Sequence, residues 1–107
     1  MDYIRQVMRY IAANDNRDFL ISEISEHFFV SPAKLRRDFQ LVTGTTLKGF
    51  QRNLRIDRAK SLLDSGYSPV ETMLECHFGS ISDFSRVFKK ITGQTPNEYI
   101  NRADTTP

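Results

Sequence analysis

A chain of 107 residues, 39% hydrophobic and 26% charged, has the make-up of one soluble domain or two very small ones. Its single cysteine, Cys76, excludes an internal disulfide, and with His27 and His77 it supplies too few soft ligands for a structural zinc site, so neither a metal nor a cofactor is expected. The net charge is +2, and no apolar run exceeds four residues, so the sequence shows neither a signal-peptide core nor a membrane span, and the cytoplasm is the expected compartment.

Apolar residues at Ile4, Val7, Met8, Ile11 and Ala12 keep the i, i+3, i+4, i+7 rhythm of an amphipathic helix, which Asn14, Asp15 and Asn16 stop. Leu20, Ile21, Ile24 and Phe28 predict a short second helix. A third starts at Ser31-Pro32, where serine caps the first amides and proline presets φ, and it ends before Gly44. Thr46 opens a longer helix that runs to about Ser65 and is closed by Gly66. Its apolar positions fall in two stripes, Leu47, Phe50 and Leu54 on one and Ile56, Ala59, Leu62 and Leu63 on another. One helix serving two cores is the expected consequence. After Tyr67-Ser68-Pro69 a short helix spans about Val70 to Cys76, a break covers His77 to Gly79, and the next helix starts at Ser80, where Ser80 and Asp83 have the spacing of a capping box. Thr95-Pro96 starts a last short helix carrying Tyr99 and Ile100. No segment alternates as a strand does, so the fold class is all-α.

The chain says one thing twice. FQLVTGTTLKGF, from Phe39, returns as FKKITGQTPNEY, from Phe88, with Thr43/Thr92, Gly44/Gly93 and Thr46/Thr95 identical and Val42/Ile91 and Phe50/Tyr99 alike. Ser31/Ser80, Leu35/Phe84 and Arg37/Arg86 keep the same 49-residue offset. Two units are too few for a solenoid, and two similar modules is the simpler reading. Each, at roughly 50 residues, would be marginal alone. The expected layout is a module at 1–45, a linker helix at 46–65, a second module at 66–102 and a tail at 103–107.

In each module a short helix, a break and a capped second helix follow one another, the order of a helix-turn-helix. With Leu35, Phe39 and Val42 inward, the second helix of module one turns Ala33, Arg36, Arg37 and Gln40 outward. With Phe84, Phe88 and Ile91 inward, that of module two turns out Ser82, Ser85, Arg86 and Lys89. Small residues permit close approach to a groove, and the arginine fork matches guanine O6 and N7. Residues 31–60 carry Lys34, Arg36, Arg37, Lys48, Arg52, Arg55, Arg58 and Lys60 against Asp38 and Asp57, a local +6. Such asymmetry suits an anionic partner, although a solvated helix face would look the same.

From about Phe19 to Ile100 the sequence resembles the DNA-binding domain of the AraC/XylS family of bacterial transcription regulators. SPAKLRRDFQLVTGTTLKGF is similar to its first module, RIDRAKSLL to its linker helix and SPVETMLECHFGSISDFSRVFKKITGQTPNEYI to its second. The resemblance implies about seven helices, two recognition helices in successive major grooves, and sequence-specific binding of double-stranded DNA by a monomeric domain on the nucleoid. RNA polymerase is the implied protein partner. By position, base reading falls on Ala33, Arg36 and Arg37 and on Ile81, Ser82, Asp83 and Arg86, to which the outward faces add Gln40 and Ser85. Phosphate contacts are expected from Ser31, Lys34, Lys48, Gln51, Arg52, Arg55, Ser80, Lys89 and Lys90. The family has glycine in the tight turn of each module where this chain has Phe29 and His77, and a reshaped turn is expected because phenylalanine resists left-handed backbone.

Two rival classes stay open on the residues alone. An enzyme would need Cys76 and His77 as thiol and base, but neighbours on a helix diverge by about 100°. A helical protein-interaction module without DNA contact would carry the same apolar stripes.

Overall fold

The structure, a computed structural model, describes residues 2–14 and 18–102. The stop signal at Asp15 and Asn16 and the tail at 103–107 lie outside the described residues. Seven α-helices run α1 Asp2–Ala13, α2 Ile21–His27, α3 Pro32–Thr43, α4 Leu47–Asp64, α5 Pro69–Glu75, α6 Ile81–Thr92 and α7 Pro96–Asn101. Among the described residues there is no strand. The chain divides into two compact units, Met1–Leu54 and Arg55–Pro107, with the division inside α4.

Helix starts follow side-chain chemistry. Ser31 Oγ accepts from Lys34 N at 3.2 Å, and Pro32 needs no partner for an absent N–H. Ser68 with Glu71, and Thr95 with Glu98, close full capping boxes. At α2 only the return half exists: Glu23 Oε1 accepts from Leu20 N, because leucine offers no acceptor. The box expected at Ser80 is also half formed. Ser80 Oγ accepts from Asp83 N, but the Asp83 carboxylate, a methylene shorter than glutamate, pairs with Arg86 instead.

The repeated Thr-Gly has a physical cause. Gly44 and Gly93 end α3 and α6 at φ 77° and 84°, where a Cβ would be strained. Just before them, Thr43 Oγ1 lies 2.7 Å from Phe39 O and accepts from Thr45 N, and Thr92 Oγ1 repeats this with Phe88 O and Gln94 N. A single hydroxyl therefore serves both the last helical turn and the loop beyond it.

The first unit buries Ile4, Val7 and Ile11 of α1, Phe19, Ile24 of α2, Leu35 and Phe39 of α3 and Leu47 of α4, with Phe50 and Leu54 packed against them. The second buries Ile56, Ala59 and Leu63 of α4 with Cys76, Phe78, Phe84, Phe88 and Tyr99. The two stripes of α4 thus enter different cores. Val42 and Ile91, expected inward, are 50% and 38% exposed. They occupy the last turns of α3 and α6, which overrun the cores, and the inner face of α3 is completed instead by buried Asp38.

Candidate nucleic-acid interface

The tight turns are not reshaped. Phe29 and His77 both take left-handed backbone, with φ 57° and 61°. Two hydrogen bonds impose it in each turn: Phe29 N to Glu26 O and Val30 N to Ser25 O after α2, His77 N to Leu74 O and Phe78 N to Met73 O after α5. This is the Schellman ending, and the residue that follows each strained position, Val30 or Phe78, is drawn into its core. The strain is held by its neighbours rather than avoided. Phe29 itself is 95% exposed, so its ring contributes nothing to the fold.

The turns differ in length. Phe29 and His77 are 48 residues apart, whereas the caps Ser31 and Ser80 are 49 apart, so module two holds one residue more, Gly79, between its turn and α6. The sequence repeat, aligned on the second helices, hides this insertion.

On α3 the outer surface carries Ser31, Ala33, Lys34, Arg36, Arg37 and Gln40, all exposed, opposite Leu35, Asp38 and Phe39. On α6, Ile81, Ser82, Arg86, Lys89 and Lys90 are exposed, Asp83 and Ser85 are half-buried, and Phe84 and Phe88 face the core. Ser31 and Ser80 spend lone pairs on the caps, but each hydroxyl keeps its proton to donate. On α4, Lys48 is exposed and Arg52 half-buried. Arg55 is half-buried with its guanidinium 5.0 Å from the Phe78 ring centroid.

Two of the expected phosphate contacts are engaged by the protein. Gln51 is buried, its Oε1 accepting from Phe19 N at 2.7 Å and its Nε2 donating to Phe19 O at 3.0 Å. It binds the segment before α2 as a strand partner would and faces no solvent, so it leaves the set. Lys34 Nζ lies 2.6 Å from Asp38 Oδ2, which also accepts from Tyr3. Asp38 is thereby held below the usual carboxylate range, first by the Lys34 hydrogen bond and then by that from Tyr3. Burial, followed by the Asp38 hydrogen bond, pushes the Tyr3 hydroxyl up to about 12. The sequence reading missed this cluster. Its signal was an aspartate between Leu35 and Phe39 on the apolar stripe.

Cys76 is buried in the second core while His77 points outward in the turn. Among the described residues no three metal-ligating side chains gather, and no helix is long and apolar enough to cross a membrane.

Two helix-turn-helix units, each with a polar face on its second helix, define a DNA-binding domain of the transcription-regulator class. The family described as "Helix-turn-helix domain" matches residues 24–102. The arabinose operon regulatory protein of Escherichia coli K12 is 32% identical over 98 residues, covering 90% of this chain and 34% of that one. A Chromobacterium violaceum transcriptional regulator with an AraC-type DNA-binding domain superposes with a TM-score of 0.86 at 28% identity, covering 96% of this chain and 94% of that one. The DNA-binding domain of AdpA, solved with a target DNA, shares the fold at a TM-score of 0.83 and 23% identity, over 95% of each chain. The chain belongs to the AraC/XylS family of transcription regulators, as a DNA-binding domain. It spans 13% and 34% of the lengths of two curated relatives that it matches.

Proposed function

We propose that the chain binds a specific double-stranded DNA site with α3 and α6 each inserted in a major groove, and that it regulates transcription from that site. The observation that carries this reading is the matched outer faces: Ala33, Arg36, Arg37 and Gln40 on α3 and Ser82, Ser85, Arg86 and Lys89 on α6, opposite apolar residues that pack each helix on its own core. Arg36, Arg37 and Arg86 read bases, while Lys48, Arg52, Lys89 and Lys90 neutralise phosphates. Arg55 joins the second group with its guanidinium braced on Phe78.

The domain acts as a monomer in the cytoplasm, with RNA polymerase as its protein partner. A response to salt tests the core of this reading. Affinity for duplex should fall steeply as salt rises, and a selected sequence should outcompete random duplex. Indifference to salt would instead favour a helical protein-interaction module.

A further inference from the structure

The two recognition helices keep their single carboxylates in different places. At the 49-residue offset, Lys34, Arg37 and Asp38 of α3 correspond to Asp83, Arg86 and Val87 of α6. In α3 the acid is buried and holds Tyr3 and Lys34 by hydrogen bonds, while Arg37 acts on it only through space. In α6 the acid lies one turn before the arginine on the outer side, and Arg86 Nη2 donates to Asp83 Oδ1 at 2.5 Å. Both side chains stay open to a ligand, with 76% of the arginine and 41% of the aspartate exposed.

We propose that Asp83 is a specificity-determining residue that braces Arg86 for reading a guanine, which makes module two the selective reader and module one the adhesive one. This rests on the reading of α6 as a groove-inserted helix. The guanidinium carries five N–H donors in a fixed fork. Asp83 uses one hydrogen of Nη2, and whichever it is, an edge with two parallel donors remains for guanine O6 and N7. A loose arginine that meets the wrong base swings to a phosphate and keeps much of its affinity. A braced one cannot, and meets the adenine amino group head-on. The aspartate also repels the phosphate backbone, so it lowers affinity for every sequence while raising the contrast between them. Arg37, unbraced, should add more affinity and discriminate less sharply at its own base pair.

The test is selection from a random-sequence duplex library by the unaltered chain, Arg86→Ala, Asp83→Asn and Lys34→Ala, followed by competition among the four base pairs at each selected position. Arg86→Ala should erase the preference for guanine at one position. Asp83→Asn should reduce that preference from about tenfold or more to within about threefold of unity, while binding to random duplex becomes tighter. Lys34→Ala should leave that position unchanged. The asparagine variant retains the Ser80 cap, since the bond runs to the Asp83 backbone N–H, and an unchanged circular-dichroism spectrum and melting temperature will show α6 intact. A guanine preference that survives Asp83→Asn overturns the brace while leaving α6 a reader. Failure of the unaltered chain to select any sequence overturns the groove reading, and the brace with it.

Discussion

Tyr3 of α1 donates its hydroxyl hydrogen to Asp38 of α3 over 2.5 Å, tying the two helices together. In module two Tyr99 of α7 donates to Asp64 of α4 at 3.2 Å, with Arg102 stacked 3.9 Å from the Tyr99 ring centroid. Each unit thus ties two of its helices together with a tyrosine–aspartate bond and a nearby cation.

The Tyr3 bond predicts an alkaline transition. A tyrosine whose folded pKa is raised from 10.0 to about 12 adds stability that is complete below pH 10 and disappears as pH rises towards 12, because the unfolded chain ionises first. Phenolate absorbance should show a late-titrating hydroxyl, and Tyr3→Phe should remove it. Denaturant unfolding at neutral pH should show Tyr3→Phe destabilised by about 1.5 to 3 kcal/mol, the range for a hydrogen bond to a charged acceptor. A late tyrosine that persists in the variant would assign the effect elsewhere.

At the acid end the sign reverses. Glu71 and Glu98 are held below the ordinary range, first by the backbone N–H groups of Ser68 and Thr95, and Asp38 first by Lys34. Their contribution is present above the unfolded values near 4 and is lost as pH falls through the lower folded ones. Melting temperature should therefore hold level down to about pH 5 and fall below it. Glu71→Gln with Glu98→Gln should flatten that fall while leaving the neutral-pH helix content intact, since glutamine also serves a capping box.

Gln51 offers a sharper discrimination, because the outward reading and the buried one predict different variants. Gln51→Ala leaves the Phe19 N–H and C=O buried without this partner, at about 1 to 3 kcal/mol for each group. The salt dependence of DNA binding should not change. A smaller salt slope with unaltered stability would restore the residue to the phosphate set.

The elements were legible in the sequence because caps, prolines and closing glycines are local signals: Ser31-Pro32, Ser68-Pro69 and Thr95-Pro96 mark helix starts, and each helix begins where they fall. The double allegiance of α4 was legible for a similar reason, since an apolar stripe that changes direction must find two partners. What stayed hidden depends on the third dimension. Gln51 looks like any polar residue among basic ones until Phe19 arrives 32 positions away in sequence to meet it. Asp38 became informative only once Tyr3 was beside it. The left-handed Phe29 contradicts local preference because a Schellman ending and the burial of Val30 outweigh it.

That conflict can be measured. A non-glycine residue in left-handed backbone carries roughly 1 to 2 kcal/mol of strain. The exposed Phe29 ring offsets none of it by packing. Phe29→Gly should raise stability by about 1 kcal/mol, and the melting temperature by roughly 4 to 8 °C for a domain of this size. His77→Gly should do the same to a smaller extent, since histidine tolerates the conformation better.

The unlike arginine faces determine what one chain covers on DNA. A two-fold dimer of single helix-turn-helix units reads a palindrome, because symmetry gives both half-sites the same reader. The two proposed readers are covalently joined and unlike: Ala33, Arg36, Arg37 and Gln40 on one face, Ser82, Ser85, Arg86 and Lys89 on the other. One chain should protect an asymmetric site of about two helical turns. Arg37→Ala should cost about 1 to 3 kcal/mol on the selected site and relax one base preference. Arg52→Ala should weaken all sequences alike and lower the salt slope by about one. Module one, with more positive charge, should supply most of the affinity, so Arg37→Ala should weaken binding more than Arg86→Ala does. Footprinting with a stoichiometry determination checks the arrangement, and a palindromic footprint that needs two chains would exclude the tandem reader.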